Sequence, residues 1–219
     1  MIDDPGETPL RNNCEPLERL CAERCRTLGE DHIYTLAAML DLADCLWAQG
    51  RLGAARRLEE RVVEGRRCQL GEQHADTLKA IGKLAVTLAA QGCLAEARLL
   101  QEQVVAGRRS LFGETDLEIL RAINNLAGTI ASLGDLGTAR ELLECVVATT
   151  CREFGEPHPD SLMAMSNLAA ILWQEGDMDE AYALQHHVVE MQTRLHGETS
   201  EAARAAVAVA EMMERGVDF

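Results

Sequence analysis

The sequence predicts an all-α protein built as an array of antiparallel helix pairs. Three observations predict it. The composition is dominated by Ala, Leu, Glu and Arg, all good helix formers, with only five Pro and 3% aromatic residues in 219. Glycines recur in strict register: Gly29, Gly71, Gly113, Gly155 and Gly197 are each followed by Glu and lie 42 residues apart, and Gly50, Gly92, Gly134 and Gly176 repeat at the same period. Between these two series the apolar residues follow helical spacing, with no insertion across four consecutive units.

The first helix of each unit carries Leu36, Leu78, Leu120 and Leu162 at one position and Met39, Ile81, Ile123 and Met165 three residues on. The Leu-Ala pairs 42–43, 84–85, 126–127 and 168–169 follow, and Leu46, Leu88, Ile130 and Leu172 close the stripe. Steps of three and four keep these side chains on one helix face, and the repeated Ala allows a neighbouring helix to approach closely. The second helix repeats Ala55, Ala97, Ala139 and Ala181, then Leu58, Leu100, Leu142 and Leu184. The pairs Val62-Val63, Val104-Val105, Val146-Val147 and Val188-Val189 come next. That stripe is too wide for a surface helix and implies packing on two neighbours. Glycine between the two helices suits a left-handed C-terminal turn, and Pro159 with Asp160 suits a helix start.

The ends follow the same register. Residues 1–12 contain Asp3, Asp4, Pro5, Gly6 and Pro9 and read as a flexible tail. Residues 13–28 align with a second helix alone. Residues 29–70, 71–112, 113–154 and 155–196 are four full units. Residues 197–219 hold a capping first helix and a tail. In that last helix Arg204, Glu211 and Glu214 replace core Leu, Ala and Leu, which gives it an outer face fit for water.

The net charge of −15 argues against nucleic acid or anionic lipid as a partner, because both reward a basic surface. No apolar run approaches the roughly 20 residues of a membrane span, and Met1–Gly6 lacks the basic-then-apolar start of a secretory signal. The eight cysteines include no C-x-x-C pair, and a chain this apolar needs no staples. They read as reduced packing residues in a cytoplasmic protein. Cys21 and Cys25 share a helix face, but no nearby pair completes a zinc site. There is no Gly-rich phosphate loop, nucleophile elbow or H-E-x-x-H, so no enzyme, metal or cofactor is expected. His32, His74 and His158 recur in one slot, filled by Asp116 in the third unit, and belong to the inter-unit turns. The doublets Arg66-Arg67 and Arg108-Arg109 complement the C-terminal ends of second helices.

The units resemble tetratricopeptide repeats of the 42-residue kind found in kinesin light chains. The pattern G-E-x-H-x-D-[ST]-L, N-L-A, Q-G, E-A is readable as Gly71-Glu72-His74-Asp76-Thr77-Leu78, Asn167-Leu168-Ala169, Gln91-Gly92 and Glu96-Ala97. The Asn before Leu-Ala is present as Asn125 and Asn167 but is Asp41 and Lys83 in the first two units. The resemblance spans about residues 14–214 and implies a right-handed superhelical solenoid with first helices lining a concave groove. It implies a protein-interaction role and no motor function.

On that template the groove slots lie six, three and two residues before the repeated Ala and one, four and five after it. They include Leu40, Asp41, Asp44 and Trp47; Lys79, Gly82 and Lys83; Arg121, Asn124, Asn125 and Gly128; and Met163, Ser166, Asn167 and Trp173. The chain has two lysines, Lys79 and Lys83, and both fall in groove slots one turn apart, with Arg121 in the Lys79 slot of the next unit. Asn124, Asn125 and Asn167 add amides suited to a peptide backbone. Trp47 and Trp173 share one slot at opposite ends of the array. The expected ligand is a protein or peptide with an acidic segment. The competing expectation is that Lys79 and Lys83 pair with Asp41, Asp44 or nearby Glu as solvated ion pairs. Rival roles are a self-assembling, homo-oligomeric scaffold and a regulatory module of an enzyme or transcription-factor system.

Overall fold

The structure is a computed structural model that describes residues 14–197 and 199–215. The tail expected at residues 1–12 lies outside them. Among the described residues there are ten helices and no strands: α1 (Glu15–Leu28), α2 (Ile33–Ala48), α3 (Leu52–Leu70), α4 (Ala75–Ala90), α5 (Leu94–Phe112), α6 (Leu117–Ser132), α7 (Leu136–Phe154), α8 (Pro159–Glu175), α9 (Met178–His196) and α10 (Glu201–Glu214). The chain divides into two compact units, up to Leu100 and from Gln101 on, with the division inside α5. In the first unit α1 packs on α2, α2 on α3, and α3 on α4. In the second, α6 packs on α7, α7 on α8, α8 on α9, and α9 on α10, while α6 also touches α8.

The recurring turns explain why the helices start where they do. His32, His74 and His158 are N-caps, each accepting at Nδ1 from the backbone N–H two residues on, at 3.3, 3.2 and 3.2 Å. Asp116 does the same through Oδ1 at 3.1 Å. Each satisfies an N–H that the helix leaves unpaired. The histidine slot is thus a capping slot that tolerates any side chain with a short-reach acceptor. Gly29 has φ 89° and ψ 161°, a region almost closed to side chains with a Cβ, and its carbonyl accepts from Thr35 Oγ1 at 2.8 Å. Gly176, at φ 94° and ψ 5°, ends α8 in the left-handed turn expected of it.

The small residues mark close helix approach. Ala43, Ala85, Ala127 and Ala169 of the first helices are fully buried, as are Ala55, Ala97, Ala139 and Ala181 of the second. Around them lie layers such as Leu162, Met165, Val188 and Ala206 in the second unit. Arg66 and Arg108 depart from the dipole reading. Both are buried, and Arg66 Nη1 donates to the Asp76 carbonyl at 2.8 Å, stapling α3 to the first turn of α4. Burial pushes the Arg66 guanidinium below its ordinary value. Arg108 pairs with Glu118 at 3.6 Å.

The cysteine expectation fails at one pair. Cys14 and Cys45 form a disulfide with Cα atoms 5.8 Å apart, joining the start of α1 to α2. The reason is packing rather than sequence spacing: the N-cap Cys14 is buried, as is Cys21 within α1, and Cys14 lands against α2. The other six cysteines are free. No helix among the described residues is long and apolar enough to cross a membrane.

Candidate functional site

The first helices α2, α4, α6 and α8 carry every residue in the expected groove slots. Lys79 and Lys83 stand on α4 in the first unit, with Trp47 on α2. Arg121, Asn124 and Asn125 stand on α6 and Asn167 and Trp173 on α8 in the second.

In the first unit, Lys79 is exposed and makes no hydrogen bond or ion pair among the described residues. Lys83 is half-buried and its Nζ donates to Asp44 Oδ1 on α2 at 2.5 Å. The ion-pair expectation therefore describes Lys83, with Asp44 as the partner. Trp47 remains 43% exposed. Leu40 is buried, so it is a core residue and not a groove residue.

In the second unit, Arg121 grips Asp160 of α8 with two parallel bonds, Nε to Oδ1 at 2.5 Å and Nη2 to Oδ2 at 2.9 Å. Its Nη1 also donates to Glu118 at 2.8 Å. The hydrogen bond to Asp160 holds the guanidinium charged well above its ordinary value. Such forked pairing fixes geometry as well as charge. Asn167 Nδ2 donates to Asn124 Oδ1 at 3.1 Å, and Asn124 is buried while Asn125 and Asn167 are exposed. Leu120, Arg121, Asn124, Val146, Thr150, Asp160 and Met163 line a shallow recess here. Trp173 is half-buried against the Leu168–Leu172 layer, with its ring 6.3 Å from that of Tyr182.

These contacts share one logic. Lys83–Asp44, Arg121–Asp160 and Asn124–Asn167 each join first helices of adjacent repeats. The slot three residues before the repeated Ala is covered in every repeat: Leu40 and Asn124 are buried, and Gly82 and Ser166 half-buried. Ser166 shows why, since its hydroxyl donates to Gln185 of the second helix at 3.0 Å. The slots that open to solvent hold Lys79, Asn125, Met163 and Asn167. Sequence reasoning missed Asp160, which reads as a helix-start residue but buries its carboxylate under Arg121. Among the described residues no three His, Cys, Asp or Glu are grouped to hold a metal ion.

Comparison with known proteins agrees with the fold. Tetratricopeptide repeat family models match residues 19–67, 76–152 and 161–202. No curated protein matches the chain. Two solved structures of kinesin light chain-type, nearly identical TPR-like repeats from Podosopora anserina are 31% and 30% identical, with TM-scores of 0.69 and 0.67. They align with 83% and 84% of this chain and with 85% and 87% of their own. BtubC (BKLC) from P. vanneervenii shares the fold at 19% identity, with a TM-score of 0.71 over 97% of this chain and 89% of that one. All-helical, 42-residue in period and capped at each repeat by the same turn, the chain belongs to the tetratricopeptide repeat family in its kinesin light chain-like form.

Proposed function

We propose that this protein-interaction scaffold is a non-enzymatic adaptor that holds an extended peptide along its first-helix faces, with an acidic side chain of the peptide on Lys79. The carrying observation is Lys79 itself, an exposed ammonium with no partner among the described residues, one turn from a Lys83 already committed to Asp44. Asn125 and Asn167 supply exposed amides for backbone recognition, and Trp47 an open ring. Arg121, in the second unit, adds its bonds to Asp160 before it can add any to a ligand, so it acts as a frame for that unit's first-helix face. In this reading the adaptor consists of four repeats, 29–70, 71–112, 113–154 and 155–196, and works in the cytoplasm on protein partners and not on nucleic acid or membrane. The Cys14–Cys45 disulfide weighs against that compartment, where thiols are kept reduced, and its isolation intact from cells would overturn the cytoplasmic reading. A fold neighbour at 14% identity, YrrB, is described as a TPR protein with an unusual peptide-binding site, which supports peptide binding as a use of this architecture.

The test is a peptide-display selection on the parent, Lys79→Glu, and the Lys79→Glu, Lys83→Glu double variant. The single variant matters because Lys83→Glu also sets a carboxylate against Asp44. Acidic peptides enriched on the parent should lose about tenfold to a hundredfold in affinity on Lys79→Glu, the scale of one charge-assisted hydrogen bond. Equal affinity for parent and variant refutes the Lys79 contact. No enrichment on any of them, with light scattering showing concentration-dependent assembly, refutes the adaptor and establishes the self-assembling scaffold.

A further inference from the structure

Glu59 lies on α3 at 2% exposure, in the interior of the first unit. Its Oε1 accepts from Thr87 Oγ1 of α4 at 2.9 Å. Its Oε2 is buried and has no hydrogen-bond partner among the described residues. A carboxylate in this place would leave a charged oxygen unpaired in the core, a costly arrangement that proteins avoid by pairing or neutralising the group.

The repeat register shows what the slot requires. The residues 42 apart are Glu59, Gln101, Leu143 and Gln185. Gln185 is fully buried and uses both ends of its amide: Oε1 accepts from Ser166 Oγ at 3.0 Å, and Nε2 donates to the Ala206 carbonyl on the following first helix at 2.8 Å. At Gln185 the slot therefore takes one acceptor and one donor, whereas Leu143 fills it with neither and Gln101 buries an Oε1 that has no hydrogen-bond partner among the described residues. A protonated glutamic acid has the shape of glutamine and offers both, whereas a carboxylate offers acceptors alone. In the first unit the residue in the Ala206 register is Ala80, on α4.

We propose that Glu59 is a neutral carboxylic acid at neutral pH, a proton-dependent stand-in for the buried glutamine, and that its proton locks α3 against the α4 helix that carries Lys79 and Lys83. The surroundings agree. Burial is the largest influence and pushes its carboxyl up, while the Thr87 hydrogen bond opposes it. The charged groups around it are Asp44 from α2, which pushes it up, Lys83 from α4, which pulls it down, and Glu60 of its own helix, which pushes it up. Lys83 spends its charge on Asp44, so it does not neutralise Glu59 outright, and the like charge of Glu60 is itself bound by Arg56 at 2.7 Å.

The sign of the pH effect follows. The native carboxyl binds its proton more tightly than the unfolded one, so its contribution to stability is full below the unfolded value. That contribution is lost as pH rises through the folded value. Alkaline pH should loosen the first unit.

The experiment is urea unfolding between pH 5 and 9 of the full chain and of Glu59→Gln. Both carry Trp173→Phe, so that fluorescence reports Trp47 of the first unit. Expected is a folding constant that falls by up to tenfold per pH unit between the unfolded and folded carboxyl values in the parent, a fall that Glu59→Gln lacks. The two should converge at pH 5. Parallel profiles overturn the proposal, as does a Glu59→Gln chain that fails to fold, because a neutral isostere should satisfy the slot. A second readout is the infrared difference between the two at pH 7. A carbonyl stretch of a neutral carboxyl group in the parent supports the proposal, and its absence overturns it.

Discussion

Breaking the Cys14–Cys45 disulfide should release α1 and little else. The bond closes a sequence separation of 31 residues. Chain-entropy reasoning assigns such a loop about 3.7 kcal/mol at 25 °C. The helix it tethers has 14 residues and buries only Cys21 along its length beyond the Cys14 cap. A helix that short is marginal in water on its own, so tertiary attachment decides whether it forms. The perturbation is Cys14→Ser with Cys45→Ser, compared with the parent oxidised and reduced. Hydrogen exchange read by mass spectrometry on residues 15–28 is the assay, because local opening of α1 is what the bond opposes. Loss of about 3.7 kcal/mol corresponds to about a 500-fold fall in protection. Amides of α3 and α4 should keep theirs. Protection in α1 that stays within a factor of about ten across the three forms would refute the reasoning, since the tether would then be adding nothing that packing does not already supply.

Two further substitutions probe the repeat and its open face. Leu162→Ala empties a site that is 1% exposed between Met165, Val188 and Ala206, and should destabilise the second unit by about 3 kcal/mol in urea unfolding. Gly128→Ala sits in an exposed helical slot where a new Cβ meets nothing within 4 Å. It should stabilise α6 by roughly 0.5–1 kcal/mol in thermal unfolding. A loss of stability there would mean the face is covered.

What the sequence made legible was whatever repeats. Period, helix pairing and capping turns recur four times, and each recurrence is an independent reading of the same local physics. His32 and Asp116 illustrate the strength of that signal, since two chemically different side chains in one slot imply a shared backbone task. What stayed hidden was the meeting of single residues about 40 positions apart. Asp160 and Arg121 occupy ordinary slots, and nothing local says that one helix brings its carboxylate under the other's guanidinium. The same holds for Cys14 and Cys45, which pair because α1 lands on α2. Glu59 stands in register with two Gln and a Leu, and its meaning depends on burial that a pattern of residue types does not report. Asn124 was placed in the groove because a slot rule treats a helix as a ring of positions. A second helix covers part of that ring, and the Ser166–Gln185 bond shows which part.

The last described helix separates two interests that the full repeats superimpose. In α8 two stripes one residue apart are both buried, one running through Ser161, Ala164, Leu168 and Ile171 and the other through Leu162, Met165, Ala169 and Leu172. In α10 the counterparts of the first stripe, Ala203, Ala206 and Met213, stay buried against α9. Those of the second, Arg204, Val207 and Glu211, are exposed. The first stripe therefore packs on the preceding second helix, and the second stripe packs on the repeat's own. Charge enters only the second stripe, at Arg204 and Glu211, the stripe that is exposed among the described residues. A polar substitution confined to every third or fourth position thus carries directional information. It marks which stripe is exposed among the described residues, and it leaves intact the contacts that hold α10 to α9.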